Sequence, residues 1–155
     1  MKAPRNESLA EKMADLTYKL LENCQEKQEY IAQQMNISVS EFKCLRSFRS
    51  DPVLSVKEIA QRMNLTSSRL TRIIDGLVLK ELVTRDINTS DRRLMDVALT
   101  AKGKEISFRL DKDYTHLHQE ILANIEKPSR QAVITALENL SRAMSAWVVR
   151  DHSRK

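Results

Sequence analysis

The sequence contains only two glycines, Gly76 and Gly103, in 155 residues. The dinucleotide loop GxGxxG and the phosphate loop GxxxxGK both need glycines where the backbone approaches a phosphate group. Two widely separated glycines cannot form either loop. The sequence therefore argues against nucleotide-driven chemistry.

Cysteines and long apolar runs are also scarce. Two cysteines suggest a reducing compartment rather than a disulfide scaffold. No apolar run approaches the ~18 residues that a membrane span needs, and the N-terminal sequence MKAPRNE turns polar instead of entering a secretory signal. Because 30% of the residues are charged and 41% are hydrophobic, we expect a globular, soluble and cytoplasmic protein with no membrane association.

The net charge of +5 is unevenly distributed along the chain. Residues 62–104 carry nine basic and five acidic side chains, whereas the segments before and after them are nearly neutral. A local cationic surplus is typical of a module that binds a polyanion. The alternative interpretation is an ordinary solvated surface.

Both ends of the chain have the apolar spacing of long amphipathic helices, with steps of mostly three or four residues. The three stripes are Leu9, Met13, Leu16, Leu20, Cys24, Ile31 and Met35; Ile106, Leu110, Tyr114, Leu117, Ile121 and Ile125; and Val133, Leu137, Leu140, Met144 and Trp147. A lone helix cannot bury such a stripe. We therefore interpret residues 1–36 and 101–155 as a helical region that packs together and forms a homodimer with a second copy.

Between these ends the sequence predicts three short helices, over residues 38–49, 55–63 and 66–80. Ser38 with Glu41, and Ser55 with Glu58, have the spacing of capping boxes. Thr66 is the expected N-cap of the third helix, without a Glu partner. The link at residues 64–65 is short, and its Asn suits a left-handed turn. Two short helices joined in this way form a helix-turn-helix.

The next segment changes its periodicity. Residues 82–86 and 93–99 are rich in β-branched and apolar side chains and flank a polar loop, which predicts a β-hairpin. The expected fold class is mainly α (α+β). Residues 37–100 form a winged helix-turn-helix with a two-stranded wing, flanked by long N- and C-terminal dimerisation helices.

The third short helix and the hairpin carry the candidate DNA contacts. Leu70, Ile73, Ile74 and Leu77 define the inward face of the helix, so its hydroxyls and arginines face outward. Small hydroxyls near a helix start allow a phosphate to approach the N-terminal N–H groups, and arginines reach guanine edges. The candidates on the helix are Thr66, Ser67, Ser68, Arg69, Thr71 and Arg72. Leu79 also falls outward, without an explanation.

The wing candidates are Arg85, Asp91, Arg92 and Arg93. A guanidinium at the tip of the loop can enter a minor groove and respond to its width and potential. We expect the Asp91 carboxylate to orient Arg93 through an ion pair, which for an exposed pair is worth only ~0–1 kcal/mol.

The stretch LSVKEIAQRMNLTSSRLTRIIDGL, followed by ELVTRDINTSDRRLMDVALTAKGKEI, resembles the MarR family of bacterial transcription regulators. Its D-x-R wing signature matches Asp91 and Arg93, and its LT..G motif matches Leu99, Thr100 and Gly103. The resemblance implies a homodimer with interleaved terminal helices on double-stranded DNA. Its pseudo-palindromic operator would have half-sites about one helical turn apart. It also implies a repressor that a small, often aromatic, effector releases by binding between the two regions.

Two residues depart from the family pattern. Glu81 stands just before the first wing strand, where the family usually has Gly. Gly76 lies within the third helix, where glycine costs about 1 kcal/mol relative to Ala. We therefore expect the end of this helix to be looser, or its boundary shifted.

No other residues form a convincing chemical site. Cys24 continues an apolar stripe, so we expect neither it nor Cys44 to sense oxidants. His116 and His118 face opposite sides of a helix, which argues against a metal site. The aromatic set of Tyr18, Tyr30, Phe42 and Phe48 suits a core better than a ligand cavity.

No nucleophile with a base and no carboxylate pair stands out, so we expect neither an enzyme nor a cofactor. Two alternative functions remain. One is a winged-helix protein that acts on DNA without regulating transcription, and the other is a winged helix that binds proteins.

Overall fold

The computed structural model describes the backbone of residues 8–152 and the side chains of residues 8–150. The elements along the chain are α1 (Leu9–Gln34), α2 (Val39–Phe48), β1 (Val53–Ser55), α3 (Val56–Met63), α4 (Ser67–Leu79), β2 (Val83–Ile87), β3 (Met95–Leu99), α5 (Ala101–Ala123), a short 3-10 helix (Lys127–Ser129) and α6 (Arg130–His152). The chain forms two compact units, divided between Asp113 and Tyr114.

The predicted capping boxes set the starts of α2 and α3. The Ser38 hydroxyl accepts the Glu41 N–H at 3.1 Å, and the Glu41 carboxylate accepts the Ser38 N–H at 2.7 Å. Ser55 and Glu58 form the same reciprocal pair at 3.2 and 2.7 Å. Both boxes are therefore confirmed, and both helices begin within one residue of the predicted positions.

The start of α4 differs from the prediction. Thr66 occupies the N-cap position with extended backbone, but within the described chain its side chain forms no capping hydrogen bond. Its hydroxyl lies 3.4 Å from that of Ser68 instead. The predicted N-cap position is therefore confirmed, but the capping hydrogen bond expected from it is not formed within the described residues. The third helical residue is Arg69, so the position that holds a Glu in a capping box carries a cation here.

The turn and the core between α3 and α4 follow the sequence pattern. Asn64 adopts the left-handed conformation, with φ 52° and ψ 48°. Ile59 of α3 packs in the same core as Leu70, Ile74 and Leu77 of α4, and all four are buried. The helix-turn-helix is therefore confirmed.

The hairpin is confirmed and belongs to a larger sheet. β2 and β3 pair antiparallel, with Val83 opposite Leu99 and Ile87 opposite Met95. The short strand β1 also pairs with β3, which gives a three-stranded sheet in the order β1-β3-β2. Sequence analysis missed β1, whose three residues run directly into the cap of α3 and form a strand only by pairing with β3.

The end of α4 is well defined. The helix ends at Leu79, one residue before the predicted boundary, so no large shift accompanies the two departures from the family pattern. Glu81 adopts a positive φ of 59°, the conformation that favours the Gly usual in the family. Leu79 is 86% exposed.

In the first unit, the apolar stripe of α1 is buried only at its C-terminal end. Ile31 and Met35 are buried, whereas Leu9, Met13, Leu16 and Leu20 are exposed in this single protomer. Phe42 and Phe48 are core residues as predicted, but Tyr18 and Tyr30 are exposed, so their assignment to the core is wrong for the protomer.

In the second unit, α6 also leaves large apolar side chains in contact with solvent. Ile134, Leu137, Met144 and Trp147 are all exposed. Most of the predicted stripe of this helix therefore has no cover within the described protomer.

Candidate nucleic-acid interface

The exposed surface of α4 contains every candidate that the sequence predicted for this helix. Thr66, Ser67, Ser68, Arg69, Thr71 and Arg72 are all exposed. The Thr71 hydroxyl donates to the Ser67 carbonyl at 2.9 Å, so it faces an external partner mainly as an acceptor. The other helix face is fixed in the core, which holds these six side chains on the outer surface.

The electrostatics at the start of α4 differ from those of the three preceding helices. In α1, α2 and α3 a Glu in the first turn accepts N-terminal N–H groups. Its bonds with Ser55 lower the pKa of Glu58, which keeps that cap ionised. The first turn of α4 contains no acidic residue. Because a helix N-terminus carries partial positive charge, this end of α4 is open to an anion.

Arg85 joins the wing to α4. Its Nη1 atom lies 3.0 Å from Oδ1 of Asp75, which projects from the outward face of the helix. Both side chains are partly exposed, at 38% and 52%. The pair neutralises the one acidic side chain on that face of α4 and sets the position of β2 relative to the helix.

The loop between β2 and β3 is ordered by hydrogen bonds to side-chain oxygens. Asn88 Oδ1 accepts the N–H groups of Ser90 and Asp91, each at 2.8 Å. Asn88 Nδ2 donates to Asp96 at 2.7 Å, across the base of the hairpin. Sequence reasoning missed Asn88, although an Asn followed by two polar residues is a recognised turn signal.

The predicted ion pair between Asp91 and Arg93 is wrong. The Asp91 carboxylate accepts the backbone N–H of Arg93 at 3.0 Å, and no ion pair with its guanidinium is found among the described residues. An acceptor two residues from an N–H closes a compact turn, which fixes the backbone and leaves the guanidinium outside. Arg92 and Arg93 are both exposed at the tip of the wing.

A cleft of about 590 Å³ lies between α3, α4 and the wing. It brings together four of the predicted residues, Ser67, Thr71, Arg85 and Arg93. Arg69, Arg72 and Arg92 are exposed outside its lining. Lys57 and Gln61 of α3 also line the cleft, and sequence analysis did not select them. The described lining carries basic but no acidic side chains, which suits a polyanion.

A family model described as the MarR family matches residues 37–95, the segment that contains the helix-turn-helix and most of the wing. The HTH-type transcriptional regulator YfiV of Bacillus subtilis is 31% identical over 112 residues, which cover 72% of this chain and 69% of that protein. The chain belongs to the MarR family. The predicted resemblance and winged-helix fold are confirmed, and the chain is a MarR-type DNA-binding regulator of transcription.

Two further matches illustrate the extent of the similarity. The transcriptional repressor MdtR of Bacillus subtilis is 35% identical over 71 residues, and this match spans 46% of either chain. The structure of Staphylococcus aureus MarR in complex with salicylate and kanamycin is 20% identical to this chain. It has a TM-score of 0.75 and covers 89% of this chain and 93% of that one, which shows the shared fold.

Neither cysteine of this MarR-family chain lines the cleft. Burial, and secondarily the charge of Glu41, raises the pKa of Cys44 to about 12. Cys24 is half-buried on α1. His116 and His118 are exposed, and His116 lies 3.5 Å from Glu120. Among the described side chains no group of three or more His, Cys, Asp or Glu residues is arranged for a metal ion.

Across residues 8–152, no helix combines the length and the apolar character that crossing a membrane requires.

Proposed function

We propose that the chain acts as a homodimeric repressor on a pseudo-palindromic operator in double-stranded DNA. Each protomer places α4 in the major groove and its wing at the adjacent minor groove. The observation that carries this proposal is the uncapped, cationic start of α4 beside a cleft lined by Lys57, Arg85 and Arg93. A repressor of this kind acts on the chromosome, so we place it in the cytoplasm.

On α4 we distinguish two kinds of contact with DNA, one to phosphate groups and one to base edges. The free N–H groups of the first turn, with Ser67 and Ser68, are suited to a phosphate because no carboxylate competes for them. Arg69 and Arg72 are long enough to reach base edges, where bidentate contacts to guanine discriminate by about 1–3 kcal/mol each. Phosphate contacts would set the position of the helix, and the arginines would read the sequence.

On the wing, the exposed guanidinium groups of Arg92 and Arg93 suit a narrow minor groove, whose negative potential attracts arginine. The hydrogen bonds of Asn88 and Asp91 hold the loop in shape. Arg85 is already paired with Asp75, so we assign it to positioning the wing rather than to a phosphate.

Dimerisation through residues 1–36 and 101–155 is supported by the apolar surface of the protomer. The exposed apolar side chains on α1 and α6 include Leu9, Met13, Leu16, Leu20, Ile134, Leu137, Met144 and Trp147. A stable monomer rarely exposes so many large apolar residues on two helices. A homodimer buries them and gives the two-fold symmetry that a palindromic operator requires.

We also propose that a small aromatic effector controls DNA binding. Staphylococcus aureus MarR, which shares the fold, was solved in complex with salicylate. A thermal-shift screen of phenolic acids tests this proposal, because a ligand that binds only the folded state raises its melting temperature. The proposal would be contradicted if no compound both raised the melting temperature and changed DNA binding.

The alternatives are less well supported. The matched relatives are named as transcriptional regulators, which favours regulation over a DNA-binding role without it. A protein-binding winged helix has no need for the basic cleft.

The test is selection of DNA from a random library, followed by gel shifts and footprinting. We expect a palindromic footprint whose affinity falls steeply with salt. Arg93→Ala should weaken binding without unfolding the protein. Arg109→Ala, at an exposed position on α5, should leave DNA binding unchanged. Absence of any DNA affinity at low salt would contradict the proposal. If Arg93→Ala bound DNA with wild-type affinity, the proposed contact between the wing and DNA would be wrong.

A further inference from the structure

The carboxylate of Glu41 is buried and connects α2 to the end of α4. Its Oε2 atom accepts the Ser38 N–H at 2.7 Å and also the Lys80 ammonium at 2.6 Å. Lys80 is the C-cap residue of α4. The side chain that caps the start of one helix therefore also holds the end of another.

The second oxygen of this carboxylate lies against the backbone of α4. A Cβ atom built on Gly76 would lie 2.6 Å from Oε1 of Glu41, which is closer than such atoms approach. Gly76 and Lys80 are four residues apart and share one face of the helix. That face fits the carboxylate in two ways, because the absence of a Cβ at Gly76 leaves room for one oxygen and the Lys80 ammonium binds the other.

The other capping boxes lack this connection. Glu11 and Glu58 are exposed, and their carboxylates accept hydrogen bonds from their own N-cap serines. Of the three boxes in the described chain, only the one at Ser38 has a carboxylate bonded to a residue 39 positions away. Capping alone therefore does not account for the burial and the partner of Glu41.

The end of α4 is also attached to α5. The Lys80 carbonyl accepts the Lys102 ammonium at 2.9 Å. One residue, Lys80, thus receives contacts from α2 through its side chain and from α5 through its backbone.

We propose that Glu41 and Lys80 form a positioning pair that fixes α4 against α2 and so sets the specific affinity for DNA. The pair touches no DNA itself. A charge-assisted hydrogen bond to a buried carboxylate is strong and directional, even though the lysine is partly exposed, so it restricts the angle at which α4 presents Arg69 and Arg72. This inference rests on the proposed DNA binding.

The experiment compares Glu41→Gln with Glu58→Gln in the full-length protein. Both variants keep an amide oxygen for the cap, but only the first removes a charge that holds α4. With selected operator DNA, well below the melting temperature of each variant, we expect Glu41→Gln to weaken binding about fivefold, or about 1 kcal/mol. Its affinity for random DNA should change less than twofold. Glu58→Gln should lower the melting temperature and leave operator affinity unchanged.

Lys80→Met provides a second, asymmetric test. Lys80 can reach water when Glu41 is neutralised, but Glu41 is left as a buried charge without its cation when Lys80 is removed. Lys80→Met should therefore weaken operator binding about tenfold, and the double variant with Glu41→Gln should bind more tightly than Lys80→Met alone. Loss of a DNA-contacting charge cannot produce that recovery.

Equal operator affinity of Glu41→Gln and Glu58→Gln, or no recovery in the double variant, would overturn the positioning role. Hydrogen exchange measured without DNA gives an independent reading, in which Glu41→Gln should speed exchange in the last turn of α4 and leave α3 unchanged. If the wild-type protein binds no DNA, the proposed function fails. In that case, unchanged hydrogen exchange of α4 in Glu41→Gln would also refute the positioning role of the pair. Faster exchange would mean that the pair holds the helix but has no role in DNA binding.

Discussion

The backbone of Gly103 in α5 lies directly against the carbonyl oxygen of Leu82, at the start of the wing. A Cβ atom added to Gly103 would lie 1.8 Å from that oxygen. The same carbonyl accepts the backbone N–H of Thr100 at 3.1 Å. The Thr100 hydroxyl accepts the Gly103 N–H at 2.9 Å and lies 2.7 Å from the Glu81 carbonyl oxygen, to which it donates. The LT..G motif is therefore a joint between the start of α5 and the turn that follows α4.

Gly103→Ala should destabilise the protein strongly. The atoms that a methyl group would meet belong to the backbone of Leu82, so relief requires the joint to move rather than a side chain to rotate. Overpacking of this kind costs about 1–3 kcal/mol, and we expect the upper end of that range in urea denaturation. Lys104→Ala, at the exposed neighbouring position, is the control and should change stability by less than about 0.5 kcal/mol. Equal stability of the two variants would contradict the close contact.

Glu81→Gly should stabilise the protein. Glu81 has a φ of 59°, and the left-handed conformation costs a residue with a Cβ about 1–2 kcal/mol. Glycine relieves this strain but loses more conformational entropy on folding, which offsets part of the gain, so we expect a net stabilisation of about 0.5–1 kcal/mol. Its ion pair with Lys102 is exposed, at 3.8 Å, and contributes little. Glu81→Ala removes the same charge and keeps the strain. A Gly variant no more stable than the Ala variant would show that strain is not the cause.

The local capping and turn signals of the sequence were sufficient to predict the helix-turn-helix. Capping boxes, the Asn64 turn and a period of 3.6 residues act between near neighbours, so they are visible without a structure. The strand β1 was missed because its formation depends on β3, which lies over forty residues later in the chain. Tyr18 and Tyr30 were assigned to the core as part of an aromatic set, and a single protomer does not bury them.

The candidate site was predicted as a set of residues but not as a set of contacts. The outward arginines follow from helix periodicity, whereas the pairing of Arg85 with Asp75 depends on the packing of β2 against α4. Asp91 was assigned to a guanidinium because opposite charges attract. The structure assigns it to a backbone N–H, since a short side chain reaches the backbone of its own turn more easily. Glu41 was identified as a cap alone, because nothing in the local sequence connects it to Lys80.

Arg85 and Arg93 should differ in their contribution to the salt dependence of DNA binding. The charge of Arg85 is already balanced by Asp75, whereas Arg93 is exposed and we propose that it lies at the DNA. Each phosphate contact contributes about one counterion to the slope of log affinity against log salt. Arg93→Ala should lower this slope by about 1, and Arg85→Ala should leave it nearly unchanged. Equal slopes for the two variants would contradict the assignment of Arg85 to positioning.

The two cysteines should differ in reactivity. Burial raises the pKa of Cys44 to about 12, so at pH 8 almost all of it is the unreactive thiol. Iodoacetamide should modify Cys44 only in denaturant, whereas Cys24, which is half-buried in the protomer and which the proposed homodimer would cover, should react faster as the native protein is diluted towards monomers, as mass spectrometry can measure. Cys24→Ser should leave any oxidant response of DNA binding unchanged. Rapid alkylation of Cys44 in the native protein would contradict its burial.

The effect of Gly76→Ala on the free energy of unfolding should depend on Glu41 and so reveal the contact between the two residues. In an ordinary helix interior this substitution stabilises by about 1 kcal/mol, but here the new methyl group meets the Glu41 carboxylate. Displacing that carboxylate strains its bonds to Ser38 and Lys80, so in the wild-type background we expect no gain, or a loss of up to about 2 kcal/mol. In a Glu41→Ala background the site is empty, and the same substitution should recover its ordinary gain. Urea denaturation of the four proteins gives the coupling energy. A gain of about 1 kcal/mol in both backgrounds would mean that the carboxylate does not rest on this glycine.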